Sequence, residues 1–302
     1  WVGGAEPATP VVDLRFESAR LLPPGSAFQR PSLATMIGPD GRIHGVGANT
    51  PRFQRKIDAG RMSMVGYLSE SAATNLLAHS SFEAPGKDLQ KSWSSVGNLK
   101  VTARAGGIHG RACLELSGKG QWLHAPIKLP SSAAPDFRSH FLTAYVRTPD
   151  GKPPGDGTVQ VIAIRKRGAE NEIASRVRFR DPVRVGPWWR IGGRLTPQFE
   201  NQEWFCGIKV NGTVLVDAIQ LERRPLNGCE APSSYIPTTT GPAVRASELL
   251  TLAPATLKWP KSEGTLVVWL RTGGPMHNGS TMVLRQDFKL ADQSLSLSIA
   301  HN

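Results

Sequence analysis

Short runs in which apolar and polar residues alternate, each closed by glycine, proline or an Asn-Gly or Asp-Gly pair, recur along most of the chain. Period two sends successive side chains to opposite faces, so each run predicts a strand with one buried side. The clearest lie at 99–103, 112–116, 141–146, 159–164, 174–179 and 188–191, with turns at 105–107, 117–120 and 149–151. Residues 204–210 and 213–222 flank Asn211-Gly212, a pair that tolerates the positive φ of a type I′ turn, and this predicts an antiparallel hairpin. No long amphipathic helix interrupts the series. The prediction is an all-β fold, an antiparallel jelly-roll β-sandwich.

The two ends read differently. Residues 1–70 predict an extended N-terminal arm with short strands, one at 11–16, a break at Pro23-Pro24-Gly25 and a turn at Pro39-Asp40-Gly41. Such an arm packs on the following domain, a neighbouring subunit or a larger scaffold. Residues 71–247 carry the sandwich, and the Pro- and Gly-rich stretch 151–157 predicts an exposed loop. From 248 to 302, runs at 264–270, 281–284 and 294–299 predict a partial second β-sandwich. Three or four strands are too few to complete one, so the expectation is that the polypeptide continues past Asn302 or that these strands complete a neighbour's sheet. A length of 302 residues with 39% hydrophobic content accommodates about two domains. No apolar run approaches the roughly 18 residues that span a bilayer, which argues against membrane insertion.

A few side chains change the picture. On a regular strand Asp217 shares a face with Leu215, Ile219 and Leu221, which points its carboxylate into the core. A buried carboxylate is paired or coordinates a cation, unless a β-bulge or an arginine partner makes it structural. Arg176, Arg178 and Arg180 alternate with Val177 and Phe179 and place three guanidinium groups on one face, beside Arg165-Lys166-Arg167. That strip is the candidate anion-binding surface, because the guanidinium fork matches carboxylate, phosphate and sulfate; the alternative is a solvated face without a ligand. Trp188 and Trp189 are candidate sugar platforms among the eight tryptophans, and being adjacent they point to opposite sides of a strand. Aromatic residues of sandwiches are more often core.

Three widely separated cysteines, Cys113, Cys206 and Cys229, predict free thiols packed as small apolar residues, with a Cys206–Cys229 bridge as the alternative. No Gly-x-Ser-x-Gly elbow, His-Glu-x-x-His pair or Walker-type glycine loop occurs, and the seven histidines are scattered. The expectation is a non-catalytic chain, with any active site beyond Asn302. A net charge of +12 calls for an acidic partner, and without a zinc-finger spacing or an RNP-like strand, nucleic acid ranks below polysaccharide and protein.

Two groups of segments carry a resemblance. Asn49-Thr50-Pro51-Arg52-Phe53, Gly66-Tyr67-Leu68-Ser69-Glu70, Ala73-Thr74-Asn75-Leu76-Leu77 and Ser80-Ser81-Phe82-Glu83 form the first. Ser233-Ser234-Tyr235-Ile236-Pro237-Thr238-Thr239-Thr240 and Val244-Arg245-Ala246-Ser247 form the second. In order and spacing, over roughly residues 45–250, they resemble a module of phage tail and virion proteins. The resemblance implies an arm leading into a jelly roll similar to carbohydrate-binding modules, followed by a concanavalin-like sandwich. In such jelly rolls an acidic residue of the last strand and one in the Phe-Glu region of the first often hold a structural calcium ion (Ca2+). The matching positions are Asp217 and Glu83.

The same resemblance implies a setting. It is that of a virion structural protein of tail, fibre or surface decoration, a homo-oligomer among other virion proteins that attaches to anionic cell-surface polysaccharide. The location implied is the virion. An extracellular location is the alternative, if the sandwich is instead the carbohydrate-binding region of a tail-borne or secreted polysaccharide-degrading enzyme.

Overall fold

The computed structural model describes residues 22, 25–58, 61–83, 86–129, 139–155, 157–167, 170–175, 182–195, 202–224, 232–252, 287–290 and 293–296. The arm holds β1 (Ser26–Gln29), β2 (Ala34–Ile37), β3 (Ile43–Val46), β4 (Phe53–Asp58) and β5 (Arg61–Tyr67). Then follow β6 (Ala73–Asn75), α1 (Gly86–Ser92), β7 (Trp93–Ala105), β8 (Ala112–His124), β9 (Ile127–Leu129), β10 (Ser139–Arg147) and β11 (Val159–Arg167). Next come β12 (Glu170–Ser175), β13 (Val183–Val185), β14 (Trp188–Leu195) and β15 (Gln202–Arg224). Last are β16 (Ala243–Arg245), β17 (Leu249–Leu252), β18 (Asp287–Leu290) and β19 (Gln293–Ser296). Eleven of these strands join one sheet, and the fold is all-β as the alternation predicts. Among the described residues no helix is long and apolar enough to cross a membrane. The predicted strands at 11–16, 264–270 and 281–284 lie outside the described residues.

One correction reorganises the sheet. Asn211-Gly212 makes no hairpin: residues 202–224 run as the single strand β15, in which Asn211 faces Lys119 and Gly212 faces Gly118 of β8. The predicted turn at 117–120 likewise lies inside β8. The positive φ that suggested a turn is used to fold a sheet over. Gly212 (φ 128°) faces Gly118 (φ 119°) across β15 and β8, and Gly97 (φ 82°) of β7, opposite Gly120, lies within two residues of the same line, so the bend runs through three neighbouring strands. A Cβ on Gly118 would run into the Asn98 carbonyl oxygen, which leaves glycine as the residue that fits. At this corner β15 changes partners along one edge. Up to Val210 it pairs with β11, and from Leu215 onward with β10.

The two halves of the bent sheet therefore face each other as a sandwich. Trp204, Cys206, Ile208 and Val210 before the corner and Val214 and Val216 after it point inward. Across from them lie Val159, Val161 and Ala163 of β11, Leu142, Ala144 and Val146 of β10, and Ile191 and Leu195 of β14. Each such aliphatic side chain taken from water contributes roughly 1.5–3 kcal/mol. Trp93 and Trp122 stack at the end of the core, 6.1 Å apart and 10° from parallel, with Phe82 edge-on at 5.4 Å.

Beyond Val216 a bulge changes the parity of β15. Ala218 (φ 48°) and Ile219 together oppose Ala144, so Ile219 and Leu221 take over the inward positions. Asp217 thus does not share a face with Ile219 and Leu221. It lies fully buried on the opposite side, with Gln220 and Glu222. This outer face is covered by chain from elsewhere, and Tyr145, Trp188 and Ala218 pack against Ile43, Ile108, Cys113 and Tyr235.

The arm is fastened to that cover. β1 pairs with β17, β2 with β3 around the predicted Pro39-Asp40-Gly41 turn, and β4 with β5. Arg30, Arg52 and Arg245 are fully buried. Arg52 forks onto Glu248 through two bonds of 2.8 Å and also meets Glu70 at 2.8 Å. Arg30 reaches Glu248 at 2.6 Å, and Arg245 reaches Glu70 at 2.9 Å. Buried charges persist only when paired and hydrogen-bonded on every side, and here Thr35, Ser71 and Ser234 supply the remaining partners.

Candidate functional site

A cleft of about 430 Å³ opens beside the corner, where the β10–β11 and β13–β14 connections approach β15. Its floor is Thr213, Val214 and Leu215; Arg147, Pro149 and Gly151 form one wall, and Arg184 and Pro187 the other. Arg147 lies over the Trp188 ring at 5.3 Å and Arg184 over the Trp189 ring at 5.7 Å. Each guanidinium is steadied from beneath by an indole face; Arg184 spends its Nε–H on the Gly186 carbonyl, and among the described residues the terminal N–H groups of both stay available. Trp189 is itself anchored by its Nε1–H, which donates to the Gly151 carbonyl at 3.3 Å. The acidic residue of the cleft, Glu115, is already engaged. Arg104 donates to both of its oxygens at 2.8 and 3.0 Å, a contact that lowers the Glu115 carboxyl from its usual range.

On the covered outer face, Asp217 and Glu83 bracket the loop between β7 and β8. The Asp217 carboxylate accepts the His109 N–H at 3.0 Å and the Ala218 N–H at 2.6 Å, and Glu83 Oε1 accepts the N–H groups of Arg111 and Ala112 at 2.8 and 2.7 Å. Burial pushes the Asp217 carboxyl well above the usual carboxylate range, against the pull of the backbone donors, and the Glu83 charge adds to the rise. Among the described residues the hydrogen bonds of Asp217 involve no cationic side chain. Among the described residues no group of three or more His, Cys, Asp and Glu side chains converges to hold a metal. Asp217 and Glu83 are nevertheless the two carboxyl groups bonded to this loop, and their oxygens already accept backbone N–H groups. Calcium there would be held by Asp217 and Glu83, and it would supply charge compensation and fasten the loop to β15.

The other predicted sites fare differently. Arg176, Arg178 and Arg180 lie outside the described residues. Trp188 is buried and belongs to the outer-face cluster, whereas Trp189, on the other side of β14, is half-buried against the main core. Neither presents a bare ring face, because each is topped by an arginine. Trp93, Trp122 and Trp204 are core. Cys113 and Cys206 are free, buried thiols, pushed up to about 11 and about 12 by burial, and Cys229 lies outside the described residues. Arg147 and Arg184 were missed; the available signal was a basic residue within three positions of the Pro-containing loops at Pro149 and Pro187.

No known protein family matches the chain. No curated protein matches it either. Several solved structures are similar. The CBM22-1 xylan-binding domain of Paenibacillus barcinonensis Xyn10C is 15% identical over 50% of this chain and 93% of that one, with a TM-score of 0.35. The CBM22-1 and GH10 modules of Clostridium thermocellum xylanase 10B, solved with xylohexaose, are 15% identical over 53% of this chain and 30% of that one, with a TM-score of 0.33. A further xylan-binding CBM22 domain is 10% identical over 50% of this chain and 96% of that one, also at 0.33. The sandwich assignment rests on the strand pairing and core described above.

Proposed function

We propose that this chain is a non-catalytic glycan-binding sandwich of a phage virion surface, a tail, fibre or decoration component that serves host attachment and assembly. The observation that carries the binding reading is the cleft beside the corner. It is concave, large enough for a sugar, walled by proline and aliphatic groups, and edged by two pre-stacked guanidinium groups. Among the described residues that line it, Glu115 is the acidic side chain, and it is paired with Arg104. The virion setting is supported by the residues that resemble phage tail proteins. Those of the first group, Arg52, Glu70 and Asn75, bond to those of the second, Ser234, Ile236 and Arg245. In that setting the partners are other virion proteins, copies of the chain itself and the host's anionic polysaccharide.

The test is co-sedimentation of the chain with host cells and with purified surface polysaccharide, with released reducing ends measured in parallel. Binding without release is the expected result. Binding with release would move the chain to a polysaccharide-degrading enzyme. Absence of binding would reduce the role to assembly, which fixed-stoichiometry recovery from purified particles would confirm.

A further inference from the structure

The cleft has a charge pattern that selects within glycans, and we infer that it takes an acidic sugar, with Arg147 and Arg184 as a two-sided clamp on a uronate-type carboxylate. This rests on the glycan-binding reading above.

Arg147 contacts the Trp188 ring, and Arg184 contacts the Trp189 ring and donates through Nε to the Gly186 carbonyl at 3.2 Å. Among the described residues neither forms an ion pair with an acidic side chain, whereas Arg104, on β7, is held by Glu115 through two bonds. Of the described charges that line the cleft, Glu115 is offset by Arg104, and the guanidinium groups of Arg147 and Arg184, at two different connections, remain. An indole beneath a guanidinium lowers the entropy lost when the fork closes on a ligand, so the pair is pre-organised for an anion between the walls. Pro149, Pro187 and Leu215 provide the C–H-rich surfaces that the apolar face of a pyranose ring needs, and Thr213 lies at the floor. A neutral sugar would leave both guanidinium groups without a counter-charge. A carboxylate held bidentately by either one satisfies it at once.

The test titrates the full chain with an oligoglucuronate, with its carboxyl-reduced neutral counterpart and with an oligoglutamate peptide of the same charge, and follows heat and tryptophan fluorescence. The oligoglucuronate is expected to bind at least about tenfold more tightly than either comparator, with an affinity that weakens as salt rises. Arg184→Gln and Arg147→Gln are each expected to reduce that affinity about tenfold, and Arg147→Lys to recover only part of it, since an ammonium lacks the fork. Lys91→Gln, on α1 away from the cleft, removes the same charge and is expected to leave affinity unchanged, which separates the clamp from general attraction to a basic protein. Equal affinity for the acidic and neutral sugars overturns the clamp and leaves glycan binding standing. Tighter binding of the peptide overturns it in favour of an acidic protein partner. Affinity unmoved by both arginine variants overturns the site, and failure of both sugars to bind overturns the glycan reading itself.

Discussion

All five N–H donors of Arg52 have acceptors: Nε and Nη2 on Glu248, Nη2 again on Glu70, and Nη1 on the Thr35 carbonyl and the Ser234 hydroxyl. Removing such a side chain leaves Glu248 to Arg30 and Glu70 to Arg245 alone, and takes buried donors from both carboxylates, the Thr35 carbonyl and the Ser234 hydroxyl. Arg52→Ala is therefore expected to cost about 3–5 kcal/mol in urea denaturation, and Arg52→Lys to restore little of it. A loss under about 1 kcal/mol would show the network to be dispensable. Glu70 gives this network a pH signature. Burial alone would raise its carboxyl, but the Arg245 and Arg52 guanidinium groups and the Ser234 hydroxyl and N–H hold it at about 2, against 4.5 unperturbed. The folded value is the lower, so the unfolded chain takes up the proton first. The stabilisation is complete above about pH 4.5 and is lost as pH falls to about 2, by about 3 kcal/mol in all. Denaturation midpoints measured across that window should fall for the native chain and fall less for Glu70→Gln. Asp217 behaves in the opposite sense, since its buried charge lacks a cationic side chain. Asp217→Asn should be neutral or stabilising in a chelator yet abolish any rise in melting temperature on adding calcium; a rise that survives the substitution would remove Asp217 from the ion's ligands.

At the scale of elements, the corner shows what the alternation of residues makes legible and what it leaves ambiguous. The runs at 141–146, 159–164 and 188–191 are strands because period two is a local property, and the structure keeps them. Asn211-Gly212 and Ser117-Gly118-Lys119-Gly120 also carry a local signal, namely tolerance of positive φ. That tolerance serves a tight turn and a bend in a continuing strand equally well, and only the register with β8 decides between them. The face of Asp217 was misread for a related reason. A single extra residue, the bulge at Ala218, inverts every later side chain, and nothing in the apolar pattern marks where it falls. The cleft was illegible because its lining comes from two connections and two strands far apart in the sequence. The corner itself is testable. At Gly212 a Cβ meets only Thr158 Cγ2, at 3.8 Å, so Gly212→Ala should carry the backbone term alone, about 1–3 kcal/mol. Gly118→Ala adds a collision with the Asn98 carbonyl and should cost more; the reverse order would count against a shared bend.

For the whole molecule, the arm proves to be a lid on the sandwich. The two groups of segments with a phage resemblance meet as one interior across 161 residues of sequence: Asn75 donates to the Ile236 carbonyl at 2.8 Å, and the Thr238 hydroxyl donates to the Leu77 carbonyl at 2.6 Å. Order and spacing of the motifs were visible in the sequence, but not that one group closes on the other, since separation along a chain carries no distance in space. The strands that enter and leave this body lie side by side, Ser26 opposite Leu252 and Gln29 opposite Leu249. Tension applied between the chain before Ser26 and the chain after Leu252 would load β1 and β17 at one end and peel them apart bond by bond, the geometry of a zipper with low resistance. Peeling would end at Gln29–Leu249, where the next residues inward are the buried pair Arg30 and Glu248, 2.6 Å apart. A pulled molecule would thus yield a short length of slack at low force and then hold, its ion pair serving as a mechanical stop that shields the sandwich and its cleft from the load.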